Sequence, residues 1–257
     1  MKPYLYETHL HTAPVSRCAK ADVRASLEFY KSLGYAGVFI TNHFIDGNVG
    51  CDRSLSFAEK IEFYFSACEE GKKIGEELGI SVFSGVESSH MGSDFLIYGL
   101  DKAWYLSHPE IMEMKKSESL TLMAEEGALI IQAHPFREHP STDRIVLFPR
   151  FVHGAEVYNA SQNDFRNRMA EHYAKSYELI AFAGSDNHIA SAKCQLGGMK
   201  SETPIVDEKD FAERVKSGEI TPFGANIADG NISSFLKLQY RNGARVKCSE
   251  TTRCIAN

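Results

Sequence analysis

Positive charge is in short supply in this chain. Lys and Arg number 28 against 34 Asp and Glu, which leaves a formal net charge of −6 and a pI of about 5.9. A broad surface tracking the phosphates of long duplex nucleic acid is therefore not expected, although a small local basic pocket remains open. The six cysteines (Cys18, Cys51, Cys68, Cys194, Cys248 and Cys254) form no Cys-x-x-Cys pair, which disfavours a structural zinc knuckle. The first residues lack the basic and apolar regions of a secretory signal, and no run of eighteen apolar residues suggests a membrane span. The expectation is a cytoplasmic enzyme with free thiols and no membrane partner. No Pro/Gly/Ser-rich linker or low-complexity segment divides the chain, and nothing in it indicates an oligomeric state. Hydrophobic residues make up 43 % of 257 residues, enough for a sizeable core in one α/β unit.

What is present is a repeating order. Helix-like segments end at Gly34, Gly79, Gly127 and Gly218, and an apolar run follows each. A glycine in the left-handed conformation commonly closes a helix. Short β-rich runs alternating with longer helical stretches predict βα units around a parallel sheet. Strands are expected near 4–9, 36–42, 80–86, 128–133, 154–159, 179–184 and either 203–206 or 220–223. An extra strand is expected over Asp94 to Leu100, beside the third. Ser56 and Glu59 form a capping-box pattern ahead of a long amphipathic helix. The segment "NISSFLKLQY" reads as a closing helix, and the polar residues after it as mobile.

The ends of the apolar runs carry the chemistry. The first ends in "HLH", placing His9 and His11 on one face of a strand. With ten His in 257 residues, His-x-His is expected roughly 0.4 times by chance, so this pair alone decides nothing. The second run ends in His43, the third in Glu87, the fourth in His134 and the sixth in Asp186 and His188. The fifth carries Glu156 and ends in Asn159. In a parallel barrel all these ends meet on one rim, where barrel enzymes keep their chemistry. Imidazole and carboxylate without thiolate suit Zn, Mn or Fe. Five His and two carboxylates exceed one tetrahedral ion, so two or three divalent ions are expected. Glu87 has two oxygens with which to bridge ions roughly 3.5–4 Å apart, a spacing that clamps a phosphoryl oxygen.

His-x-His, then "TNH", "GVE", "HP" and "GSDNH" in this order resemble the PHP (polymerase and histidinol phosphatase) family over residues 4 to 224. The resemblance implies a distorted seven-stranded (β/α)7 TIM-like barrel over 1–224, with 225–257 as a partly mobile C-terminal extension. It also implies a multinuclear metal site and phosphoester hydrolysis. Carried over, His9, His11, Glu87 and Asp186 hold a first ion, Glu87 and His134 a second, and His43 and His188 a third. The sequence departs from the family pattern in three places. Asn42 stands where the family usually has Asp, implying a weaker polarising partner. Leu96 stands where many members have a His, leaving His90 or Asp94 as substitutes. Arg17 and Cys18 stand where an Asp or His often follows the first motif, implying that the third site is the loosest.

The expected reaction is hydrolysis of a small phosphomonoester by a metal-bound hydroxide. Asp186 or His188 would orient the water or pass a proton to the leaving group. Arg17 would supply part of the third ion's charge, and Arg17, Arg137 and Arg166 are candidates to bind phosphate through the guanidinium fork. For any single one of these arginines a solvated surface residue is the better reading. Glu156 either supports a ligand or pairs with Lys or Arg. His90, His108, His139 and His172 read as surface or loop residues, and Trp104 and Tyr105 as packing. Three other readings stand beside it: a 5'-3' exonuclease-type phosphodiesterase on short oligonucleotides, a non-catalytic metal-binding module, and an amidohydrolase-like enzyme. The last is disfavoured because no Lys ends a strand.

Overall fold

A computed structural model describes residues 2–138, 144–192 and 195–238; His139, Cys194, Cys248, Cys254 and the polar end of the chain lie outside them. The elements run β1 (Tyr4–Leu10), α1 (Val23–Ser32), β2 (Gly37–Ile40), α2 (Phe57–Leu78), β3 (Ser81–Ser84), β4 (Val86–His90) and β5 (Ser93–Tyr98). After these come α3 (Lys102–Ser107), α4 (Lys116–Glu125), β6 (Leu129–Ala133), β7 (Gly154–Asn159), α5 (Asp164–Ser176) and β8 (Ile180–Gly184). The last are β9 (Gln195–Ser201), α6 (Glu208–Ser217), β10 (Thr221–Ala228) and β11 (Asn231–Leu236).

The strands form two mixed sheets, ordered β11-β10-β9-β1-β2-β3 and β4-β5-β6-β7-β8. This corrects the expected seven-stranded (β/α)7 TIM-like barrel: among the described residues there are six α-helices and no closed barrel. Only β1-β2-β3 and β6-β7-β8 are parallel. Local turn chemistry accounts for the rest. The third expected strand breaks at Gly85, so β3 stays beside β2 while β4 turns away to pair antiparallel with β5. Met91 (φ 51°) and Gly92 (φ 88°) close that hairpin with the left-handed pair that a two-residue turn demands. Asp229 (φ 50°) and Gly230 (φ 73°) do the same between β10 and β11. Within the segment read as a closing helix, Asn231–Leu236 is thus an edge strand, and residues 203–206 are not a strand.

The helices follow their sequence signals. Ser56 and Glu59 make both bonds of the capping box, and Gly79 (φ 67°) closes α2. On α1, Val23, Leu27 and Tyr30 share a buried face. Burying each such side chain contributes about 1.5–3 kcal/mol. Trp104 and Tyr105 are packing residues, with Tyr105 buried against Phe44 and Phe65. No helix of the described residues is long and apolar enough to cross a membrane. Two isolated parallel bridges, Leu10 with Asn187 and His43 with Glu87, tie the sheets together where the polar strand ends converge.

Candidate metal centre

Glu87 opens β4, and its carboxylate touches four imidazoles. His43 Nδ1 is 2.6 Å from Oε2, His9 Nε2 3.1 Å from Oε1, His134 Nε2 3.2 Å from Oε1 and His11 Nε2 3.4 Å from Oε2. Asp186 closes the ring, with Oδ1 3.4 Å from His11 Nε2 and 3.6 Å from both His9 Nε2 and His188 Nδ1. Its Oδ2 lies 3.9 Å from His134 Nε2. All seven expected ligands are therefore in one place. They group as His9–His11–Asp186, His9–Glu87–His134 and His11–His43–His188, with the ligand atoms of each group within 4.8 Å of one another.

Strand geometry explains the convergence. Glu7, His9 and His11 alternate onto one face of the first strand and its continuation. Fully buried Glu7 accepts from the amides of Thr8, His9 and Ser185 through Oε1, at 3.0, 2.8 and 2.9 Å. It so locks the end of β1 to the turn carrying Asp186. Gly184 permits the close approach: a Cβ there would sit 2.5 Å from His9 Cβ. Two residues of the cluster hold unusual backbone conformations, His134 at φ 25° and Asp186 at φ 53°. Such positions cost about 1–3 kcal/mol each and concentrate at functional sites.

The protein sets the tautomers. His9 Nδ1 bonds Glu156 Oε1 at 2.9 Å, which leaves Nε2 facing Glu87 and Asp186. Ser16 Oγ donates to Asn42 Oδ1 at 2.8 Å and accepts from the His43 amide at 2.9 Å. The His11 Nδ1–H therefore donates to Ser16 Oγ, 2.9 Å away, and the lone pair sits on Nε2. His188 Nδ1 donates to the Asp186 carbonyl at 3.0 Å, freeing its Nε2. Asn42 thus acts on His11 and His43 through Ser16. Its own side chain also holds the Thr12 amide at 2.6 Å and the Thr12 hydroxyl at 3.0 Å.

The donor set fits a metal. His11 Nε2, His43 Nδ1 and Glu87 Oε2 are buried without any hydrogen bond of acceptable geometry, although His43 Nδ1 and Glu87 Oε2 are only 2.6 Å apart. Buried polar atoms are rarely left in this condition; here Glu87 Oε2 lies within 3.4 Å of both nitrogens. The charges agree. Burial raises the Glu87 carboxyl, but His43, His11 and His9 outweigh it and hold it well below the usual carboxylate range. Burial likewise raises Asp186, and His9 and His11 bring it well below its ordinary value. Burial pushes His11 down to about 3 against the pull of Glu87, so it is a neutral imidazole near pH 7.

Glu156 supports a candidate ligand and, among the described residues, pairs with no Lys or Arg. Its oxygens receive His9 Nδ1, the His134 amide and Asn159 Nδ2, each at 2.9 Å. Glu156→Gln removes the charge and one acceptor where three donors meet. Metal affinity is expected to fall about 10–100-fold, as for other carboxylates that orient a ligating imidazole, read by titration against a chromophoric chelator. An unchanged affinity would show that Glu156 only fills space.

The other singled-out residues separate cleanly. Leu96 faces Glu87 across the hairpin and is buried in the core. Of its two substitutes, Asp94 reaches the cluster, with Oδ2 3.8 Å from His134 Nε2, whereas His90 stacks edge-on against Phe148. Arg137 donates to Asp94 Oδ2 at 2.8 Å and keeps Nε buried without a partner. Arg166 bonds Gln162 and Glu138. Arg17 lines a cavity of about 360 Å³ with Asp46, Arg53 and Lys60. Cys18 lies against His43 and His188; burial raises its thiol, but those two imidazoles bring it down to about 6. His108 stacks on Trp104 and His172 is exposed. Sequence reasoning missed Glu7 and Ser16. Glu7 was visible as a carboxylate in phase with His9 and His11, whereas nothing in the aperiodic loop around Ser16 announced its contacts.

The comparisons bear on this geometry. A family model described as PHP-associated matches residues 165–220, a stretch that contains Asp186 and His188. No curated protein matches the sequence. Among solved structures, a two-domain protein from Bacteroides vulgatus with a domain predicted to be a PHP-like metal-dependent phosphoesterase aligns at TM-score 0.62 and 13 % identity. The alignment covers 86 % of this chain and 64 % of that one, so the chain spans less than two thirds of that protein. A structure from Bifidobacterium adolescentis, assigned as a metal-dependent phosphoesterase, aligns at TM-score 0.51 and 13 % identity over 73 % of this chain and 89 % of that one. An amidohydrolase from Chromobacterium violaceum aligns at 0.50 and 12 %, over 84 % and 97 %. At these identities the likeness is one of fold. The PHP-associated match over residues 165–220 and these likenesses of fold agree with the resemblance that the ordered motifs His-x-His, "TNH", "GVE", "HP" and "GSDNH" bear to the PHP family, and the structure brings the His and carboxylate residues of those motifs into a single cluster.

Proposed function

We propose that the protein is a metal-dependent phosphoesterase whose substrate is a small phosphomonoester. The observation that supports this reading above all others is the carboxylate of Glu87 within reach of four imidazoles, with three buried atoms of the ring lacking a hydrogen-bond partner. His9, His11, Glu87 and Asp186 would hold one divalent ion, Glu87 and His134 a second, and His43 and His188 a third. Bound ions of this kind neutralise phosphoryl oxygens and lower the pKa of water to near 7.

The remaining steps belong to the protein's own residues. Asp186 turns Oδ1 toward His9 and His11, which leaves Oδ2 to accept a hydrogen bond from an attacking water. His188 has one free nitrogen, Nε2, so it either holds an ion or carries a proton; the neighbouring His43 favours the ligand role. Arg137, held against Asp94 with an unsatisfied Nε–H, is placed to receive a phosphoryl oxygen. Arg17 in its cation-lined cavity would contact a more distant part of the substrate. A cavity of about 440 Å³ opens beside Asp186 and His188, lined also by Ser161 and Gln195. That is room for a small molecule, and the net charge of −6 disfavours long polyanions. Among the described residues no Lys is ion-paired with the cluster, which weighs against a carboxylated-lysine amidohydrolase.

Chelation is expected to abolish hydrolysis of an aryl phosphate, and Mn or Zn to restore it. Full activity in protein shown by elemental analysis to be metal-free would refute the reading.

A further inference from the structure

Three imidazoles, His11, His43 and His188, gather on the open side of the cluster. The rings of His11 and His188 stack at 4.2 Å and 17°, and His11 and His43 lie 4.4 Å apart. The free nitrogen of His11 is its Nε2, fully buried, without a hydrogen bond and aimed into this group. Two of the three side chains, His43 and His188, also touch one further donor, the sulfur of Cys18, which lies within hydrogen-bonding reach of both.

The backbone keeps Cys18 at that spot. On one side the Arg17 amide donates to the Asn48 carbonyl at 3.0 Å, and the Gly50 amide to the Val15 carbonyl at 2.7 Å. On the other, the amides of Lys20 and Ala21 both donate to the carbonyl of His188 itself, at 2.8 and 3.3 Å. Ser16, two residues before the cysteine, is bonded to His11, Asn42 and the His43 amide. The loop carrying Cys18 is thus tied to both imidazole-bearing segments, so the thiol is preplaced, whereas the Arg17 side chain lines a cavity with Asp46, Arg53 and Lys60. Cys51 and Cys68, the other cysteines of the described residues, are buried.

We propose that Cys18 is a ligand of the third metal site, completing with His43 and His188 a sulfur–nitrogen set. The assignment rests on the reading of the cluster as a metal centre, and it changes what the third ion is. A soft thiolate with two imidazoles selects Zn, Co or Fe(II) over Mn or Mg, and three protein ligands make this site tighter than two imidazoles alone. The centre is then mixed: two sites of imidazole and carboxylate that accept harder ions, and one that does not. The thiol loses its proton to solvent as the ion enters.

Cobalt(II) titration of the full chain, metal-depleted and kept reduced, tests this without an activity readout. One equivalent of cobalt should bring up the near-ultraviolet charge-transfer band of a cobalt thiolate; zinc should bleach it and excess manganese should not. Cys18→Ser should lose the band and about one equivalent of metal while the remaining equivalents bind as before. Cys18→Asp should regain the equivalent without the band. Wild type that binds cobalt with no thiolate band, or a band that survives in Cys18→Ser, overturns the role of Cys18 alone. Wild type that binds no cobalt overturns the metal centre, and this assignment with it.

Discussion

Glu87→Gln is expected to lower phosphomonoester hydrolysis by about 10²–10³-fold, the scale of losing a preorganised electrostatic partner at a reacting centre, and to reduce metal uptake at more than one site. Among the described residues Glu87 is the one in contact with His9, His11, His43 and His134 together, at 2.6 to 3.4 Å. An amide of the same shape keeps one acceptor oxygen and replaces the other with an N–H₂ that turns its hydrogens toward imidazole lone pairs. The carboxylate's charge, held well below its usual pKa by those imidazoles, disappears with it. Elemental analysis beside circular dichroism separates loss of metal from loss of fold. Near-native turnover with full metal content would remove Glu87 from the bridging position.

Asp186→Asn is expected to cost at least ~10²-fold in turnover while depleting fewer ions than Glu87→Gln. Asp186 Oδ1 faces His9 and His11, at 3.6 and 3.4 Å, so the substitution strikes the His9–His11–Asp186 group and spares Glu87 with His134. The variant is structurally mild for a particular reason. Residue 186 has φ 53°, and Asn is among the few side chains that tolerate the left-handed region. The turn and the His188–carbonyl bond are expected to persist, so the loss measures charge. If Asp186→Asn turned over like the wild type, its place as a ligand would be lost.

The site was more legible in this sequence than the topology. His9, His11, His43, Glu87, His134, Asp186 and His188 could be read because ligand-type side chains closed one apolar run after another, and the order of those runs carries the information. The sheet arrangement depended on single turns. Gly85 divides what reads as one strand, and Met91–Gly92 reverses the chain with no strong turn signature. Asp229–Gly230 is a strong hairpin signal. It was outweighed by the mostly exposed pattern of β11, which reads as helix as readily as strand. The supporting contacts were least legible. Ser16 and Cys18 sit in an aperiodic loop whose partners Asn42, His43 and His188 are 25 to 170 residues away in sequence, and the choice of Asp94 over His90 depended on the register of β5 against β4.

The central claim is that one cluster holds divalent ions where a phosphoryl group reacts. An anomalous difference map from crystals grown with manganese, zinc and inorganic phosphate tests it most directly. The account predicts metal peaks among His9, His11, Glu87, His134 and Asp186, a zinc peak at His43 and His188, and phosphate on those ions with Arg137 beside it. A map with no metal peak inside this ring, or with the phosphate bound elsewhere, would contradict it.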